Sequence, residues 1–210
     1  HLFDHCEREI VTDDVGELAA FTRETIGPLG FRVFWGCEAL AVLANAHGKG
    51  GGKFPYSATR MGLLFGHKAG DDGKPCSRVR GRIAAAMKGL ASTRVRFRLS
   101  ACTRDWFDGT IVRPVGAHGR GWTLWELHPG VWDQIATGRG CVQWHPAALR
   151  LADPETLAVY FAAAWEWGDR RRDLSGDLET LARRAGAWNP DRWAHDRARY
   201  LVTWRKRLAE

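Results

Sequence analysis

The chain of 210 residues has no apolar run near the ~18 residues that a membrane span needs. No signal peptide opens it; it begins at His1 without a methionine and reads as a trimmed fragment. Its five cysteines (6, 37, 76, 102 and 141) are odd in number, widely spaced and never in a C-x-x-C pair. That pattern argues against a disulfide framework and predicts reduced thiols in a cytoplasmic setting. Lysine is scarce, supplying only six of the 31 basic residues, and arginine supplies the other 25. Charged residues make up 26% and hydrophobic residues 45%, so a disorder signature is missing too.

What is present is positive charge. A net charge of +7 favours a polyanionic partner, and nucleic acid is the commonest one. Arginine's planar fork suits phosphates and guanine edges better than lysine's point charge does. A GC-rich genome would also inflate arginine, alanine and glycine, so position matters more than number. The decisive stretch is "GKPCSRVRGRIAAAMKGLASTRVRFRLS", residues 73–100, with arginines at 78, 80, 82, 94, 96 and 98.

Hydrophobic periodicity organises the chain. "VFWGCEALAVLANA" (33–46) predicts a helix that is apolar over much of its circumference. After "HGKGGGKFPYS", Ser57 caps a short helix that ends at Gly66. A third helix runs from Ser77 to Ala91, with Val79, Ile83, Ala86, Met87 and Leu90 on one face. The period then switches to two: Val95, Phe97, Leu99 and Ala101 alternate with Arg94, Arg96, Arg98 and Ser100, which predicts a half-buried strand with a basic, solvent-facing side. "TRDWFDG" reads as a turn, and "TIVRPV" and "WTLWEL" as two strands joined by the tip "GAHGRG". Three helices, a basic strand and a glycine-tipped hairpin describe a winged helix.

The plan recurs without a wing. "DPETLAVYFAAAWEW" (153–167) predicts a helix with Asp153 as cap and Pro154 in its first turn. "SGDLETLARRAG" (175–186) is a short helix, and "NPDRWAHDRARYLVTWRKRLAE" (189–210) a long one capped by Asn189. The expected class is α+β and helix-rich, with two winged helices in tandem. The expected organisation is an N-terminal segment 1–30, a first domain 31–140 and a second domain 141–210, with the boundary inside "TGRGCVQWHP". Within 1–30, "GELAAFTRETIG" reads as one amphipathic helix.

In a helix-turn-helix the third helix enters the major groove while the wing lies on the backbone. Arg78 and Arg82 fall on one shoulder of helix 77–91 and Arg80 on the other, separated by the small Gly81, Ala84 and Ala85. A solvated basic face is the plainer reading, but the strand repeats the bias. In the last helix Trp193, Leu201 and Trp204 share an apolar face, and Arg192, His195, Arg199 and Lys206 form a stripe of one sign opposite it. A surface helix without function usually mixes signs at such spacings. The expected DNA-contacting set is Ser77, Arg78, Arg80, Arg82, Lys88, Arg94, Arg96, Arg98, His118, Arg120, Arg192, His195, Arg199 and Lys206.

The order of "VFWGCEALAVLANA", "YSATRMGLLFG", "SRVRGRIAAAMKGLAST", "RVRFRL" and "WELHPGVWDQI" resembles the replication initiators of iteron-bearing plasmids. The duplicate "LAVYFAAAWEWG…LETLARRAG…RWAHDRARYLVTWRKRL" completes a resemblance over residues 31–210. It implies a first winged helix that dimerises and contacts backbone, and a second that reads a repeated origin site. Host replication proteins are implied partners, and neither enzymatic activity nor a cofactor is expected. The chain departs from the pattern in lacking a second wing and a leucine-zipper-like opening.

Other chemistries fit poorly. "GKGGGKF" (48–54) has His47 where a Walker loop needs glycine and Phe54 where it needs Ser or Thr. "CVQWH" and "HLFDHC" offer two or three ligands each, short of a four-ligand zinc site, so no metal is expected. No His-hydrophobic-His pair suggests a nicking endonuclease, and Tyr56, Tyr160 and Tyr200 stand apart. The carboxylate pairs in "DDG" and "DWFD" fit turns. Most of the eleven tryptophans sit at core periodicity; Trp106 and Trp188 are the exceptions.

Overall fold

The computed structural model describes residues 8–12, 15–45, 51–98, 106–117, 123–137, 144–151, 153–170 and 202. The chain divides into two units, His1–Cys141 and Val142–Glu210. Both contain helix and the first contains two small sheets, so the class is α+β.

The first unit opens with strand β1 (Arg8–Thr12) and helix α1 (Val15–Ile26). Thr12 Oγ1 donates to the Glu17 carboxylate at 2.6 Å, tying the end of the strand to the first turn of the helix. Val15, Leu18, Ala19 and Thr22 recur at helical spacing and are the buried face of α1. Residues set apart in the sequence as an opening segment thus contribute a strand and a helix to the first unit. The strand had no clear alternation to announce it.

Helix α2 (Pro28–Ala44) starts five residues before Val33, where the apolar run places its beginning, because Pro28 fits the first helical position. Phe34, Val33, Cys37 and Ala41 are fully buried, while Val42 and Leu43 are exposed, so the helix leaves the core over its last turn. Gly36 is where a side chain cannot go: a Cβ there would lie 2.5 Å from Met61 Sδ. Asn45 closes the helix, its amide donating to Ala41 O at 2.6 Å and to Lys53 O at 2.9 Å, which links α2 to strand β2 (Lys53–Tyr56).

Ser57 caps helix α3 (Ala58–Leu64) by accepting from the Arg60 amide at 3.2 Å. Helix α4 (Ser77–Ala91) has the predicted bounds, and Ile83, Ala86, Met87 and Leu90 are its buried face. Four strands follow: β3 (Thr93–Arg98), β4 (Trp106–Thr110), β5 (Val112–Ala117) and β6 (Thr123–Leu127), then helix α5 (Pro129–Thr137).

Two expectations are corrected here. Residues 106–109, read as part of a turn, belong to β4, an edge strand whose first three residues are exposed, a position that tolerates a polar side chain such as Asp108. The basic strand β3 also does not share a sheet with the glycine-tipped hairpin. It is the centre of the sheet β1-β3-β4, parallel to β1 and antiparallel to β4. The hairpin β5–β6 pairs instead with β2, in the order β2-β6-β5, with a register shift between Pro114 and Gly116. Ile111 joins the two sheets: its amide donates to Thr93 O, and its carbonyl accepts from His128 N at 2.9 Å.

In the second unit a 3-10 turn (Pro146–Arg150) precedes helix α6 (Pro154–Arg170). The Asp153 carboxylate caps α6 by accepting from the Thr156 amide at 2.9 Å and its hydroxyl at 2.7 Å. Leu149, Leu157, Ala158 and Phe161 are buried, and Trp144 packs edge-on against Phe161. The predicted helices 175–186 and 189–210 lie outside the described residues, apart from Val202, which is helical and exposed.

Candidate nucleic-acid interface

Helix α4 is amphipathic in an unusual sense: its outward face is either basic or very small. With Ile83, Met87 and Leu90 turned inward, Arg78, Gly81, Arg82, Ala85 and Lys88 are all exposed along the opposite side. No acidic residue occurs anywhere in the helix. Gly81 has nothing within 4 Å of where a Cβ would stand, so the centre of the stripe is open. Ser77 is exposed at the helix start. Arg80 is half-buried with its Nε enclosed, which separates it from the other two arginines of α4.

Strand β3 carries the second group. Val95 and Phe97 are fully buried, and Arg96 on the other side is exposed, as the alternation predicts. The outward face is less purely basic than the strand alone implies, because its neighbours bring acid. Arg94 places Nε and Nη2 on the Asp108 carboxylate of β4 at 3.0 and 2.6 Å, and Glu9 of β1 stands opposite Arg94 in the ladder. The Arg94 hydrogen bond holds the Asp108 carboxyl below the usual carboxylate range. Arg96 lies over the Trp106 ring, 5.9 Å from its centroid, and Trp106 itself is 42% exposed. Arg98 ends β3 in register with Trp106.

The structure thus gathers Arg78, Arg82 and Lys88 on one helix face, and Arg94, Arg96 and Arg98 on one strand. His118, Arg120, Arg192, His195, Arg199 and Lys206 lie outside the described residues.

Two cationic residues were missed. Arg32 stands in the apolar helix α2, where an arginine needs a reason; its Nη2 donates to Phe65 O at 3.0 Å and its guanidinium sits 4.7 Å over the Phe65 ring. Burial lowers its pKa to about 10, still charged at neutral pH. His67 follows α3, half-buried, with its proton affinity lowered by burial and then by the Arg32 and Arg82 charges. An arginine inside an apolar run was the one signal that could have pointed there.

Other reactive groups are enclosed or isolated. The Cys37 thiol is buried beside Met87 Sδ, and burial raises its pKa; Cys76 is exposed. Among the described residues no three His, Cys, Asp or Glu side chains are grouped to hold a metal ion, and no helix is long and apolar enough to cross a membrane. The chain matches no protein-family model, no curated protein and no solved structure.

Proposed function

We propose that the chain is a sequence-specific double-stranded DNA-binding protein, a plasmid- or phage-type replication initiator that recognises repeated origin sites and performs no chemistry itself. The observation that carries this reading is the outward face of α4: three cations, two residues too small to obstruct a groove, and no carboxylate. A groove-facing helix needs that combination, whereas a solvated helix gains from mixed charge.

Element order supports a winged helix in the first unit. Helices α2, α3 and α4 enclose β2 in sequence, and β2 pairs with the second strand of the hairpin β5–β6. The hairpin would be the wing, with His118 and Arg120 at its tip, and β1, β3 and β4 would be an addition to that plan. Arg96 and Arg98 would reach phosphates, since a strand side chain positions a backbone contact more readily than it reads a base. On the resemblance to iteron initiators, the second unit would be another winged helix reading bases through Arg192, His195 and Arg199. The first would dimerise, and host replication proteins would join the complex.

Selection of bound sites from random duplexes tests the proposal. Directly repeated sites bound without strand cleavage are expected. Inverted half-sites would make the protein a dimeric transcriptional repressor using the same surface. Metal-dependent nicking of a supercoiled plasmid would make it the DNA-binding part of a nuclease or recombinase.

A further inference from the structure

We propose that Trp106, on the outward face of the sheet β1-β3-β4, is a stacking platform for an unpaired base, and that this face takes a single strand of DNA. The inference rests on the DNA-binding reading for the identity of the strand; the platform itself is argued from the sheet. Ladder register puts the rows Glu9–Arg94–Thr110 and Val11–Arg96–Asp108, and the pair Arg98–Trp106, on one side of the three strands. Val95 and Phe97 alternate with these arginines and are fully buried, so the core lies behind the sheet and this side faces outward. Trp106 is 42% exposed there and Val11 54%.

Charge is not spread evenly over the face. At one end acid answers base: Glu9 stands opposite Arg94 in the ladder, and two guanidinium nitrogens of Arg94 lie on the Asp108 carboxylate. Toward the start of β4 that balance ends. Arg96 lies over the Trp106 ring, 5.9 Å from its centroid, with the apolar Val11 beside it in the ladder. Its partner in register on β4, Asp108, is held by Arg94, and among the described residues no carboxylate hydrogen-bonds to Arg96. An apolar protein surface docked on Trp106 and Val11 would take that guanidinium out of water without a bonded counter-charge, which is costly. A nucleic-acid strand avoids the cost, because one nucleotide brings a π-face for the ring and a phosphate for the guanidinium. The net charge of +7 favours the same partner.

Only a strand with an uncovered base satisfies both side chains. In a duplex each base is stacked between its neighbours, so a duplex offers Arg96 a phosphate but offers Trp106 no ring to stack on. The tryptophan therefore separates the two forms of DNA, a task that the arginines of β3 and the stripe of α4 cannot perform. Stacking tolerates any base, so this contact adds affinity for an opened strand without adding a sequence requirement.

The test uses the full chain at fixed salt and two labelled probes of one mixed sequence, a single strand of about 16 nucleotides and its duplex, titrated by anisotropy. Trp106→Ala is expected to weaken single-strand binding at least roughly fivefold and duplex binding by less than about twofold, and Trp106→Tyr to restore most of the single-strand affinity. Ala85→Glu, on the outward face of α4, should show the opposite pattern. A further single strand carries abasic sites, which keep the phosphates and remove the stacking partners. The parent should bind it at least roughly fivefold more weakly than the intact strand, and Trp106→Ala should bind the two alike. Thermal melts establish that each variant folds. Equal losses on strand and duplex for Trp106→Ala, or a parent indifferent to abasic sites, overturn the platform. A preference of roughly tenfold or more for RNA of the same sequence overturns DNA as the occupant. If the single strand binds through Trp106 but no duplex binds, the platform stands and the double-stranded reading fails. If the duplex binds and the single strand is insensitive to Trp106, the reverse holds.

Discussion

Arg94 of β3 reaches diagonally across the ladder to Asp108 of β4, with two guanidinium nitrogens on one carboxylate, and this pairing sets it apart from Arg96. Arg94 holds its counter-charge by hydrogen bonds, while Arg96 lies over the face of Trp106 and acts on Asp108 through its charge alone. Arg96→Ala is therefore expected to weaken cognate and random duplexes equally, and Arg94→Ala to weaken both much less. Because the pair is exposed, Asp108→Asn should change stability by no more than about 1 kcal/mol. The same variant should tighten duplex binding and steepen its salt dependence, since it returns a cation to the surface. Anisotropy titrations over a salt series, with denaturant melts of the same variants, check both halves.

The outward face of α4 gives a prediction in which stability and binding part company. Ala85 is exposed between Arg82 and Lys88, so Ala85→Glu should leave stability within about 0.5 kcal/mol. It places a carboxylate in the stripe, and duplex affinity should fall at least roughly tenfold, a loss of about 1.4 kcal/mol. Arg78→Ala should cost about 1–3 kcal/mol on the selected site if it reads a base, and Lys88→Ala should weaken all duplexes alike. Equal affinity for Ala85→Glu and the parent would remove α4 from the interface.

One substitution at two glycines should act in opposite directions. Gly81→Ala sits in open space on a helix, and alanine's better helical propensity should stabilise the fold by about 0.5–1 kcal/mol. Gly36→Ala gains the same propensity, but its Cβ would come 2.5 Å from Met61 Sδ and 3.1 Å from Phe65. Overpacking should outweigh the gain and leave that variant about 1–3 kcal/mol less stable. Thermal and denaturant melts decide each sign.

These contrasts show how far the sequence could be read. Helix α4 was legible to the residue, because Ile83, Met87 and Leu90 mark a helical period that local spacing alone reveals. Ser57 and Asp153 were legible as caps for the same reason, since a cap acts within one turn. Strand partners were not. Val95 and Phe97 announce a strand with one buried side, but nothing local says that its neighbours are residues 8–12 and 106–110 rather than the hairpin. The Arg94–Asp108 pair and the seat of Arg32 against Phe65 depend on such non-local placement, and so escaped the reading.

His128 supplies the pH dependence of the fold. It is buried where β6 gives way to α5, its Nδ1 accepting from the Gly130 amide at 3.2 Å and its ring beside Phe97. Burial lowers its pKa to about 4, against 6.5 for a free histidine; the Phe107 carbonyl and the Asp108 carboxylate pull the other way without reversing it. The unfolded chain therefore binds this proton more readily than the folded one. Stability should be complete above pH 6.5, decline as the pH falls below it, and stop declining on this account near pH 4. The total loss should be roughly 3 kcal/mol, and His128→Gln should flatten this limb of the curve, whatever its effect at neutral pH. Urea melts at stepped pH measure it directly.

The parallel pairing of β1 with β3 has a consequence for how the protein is made. Arg8 leaves the ribosome well before its ladder partner Thr93, which is not synthesised until helices α1 to α4 have been. Through that interval β1 is a strand without a sheet, with Ile10 and Val11 available to any other edge. The ladder must then close over a long loop, which slows the step that completes it. Nascent chains stalled before residue 93 should accordingly engage chaperones through β1, and chains stalled with residue 110 clear of the ribosome should release them, with both strands then in place around β3.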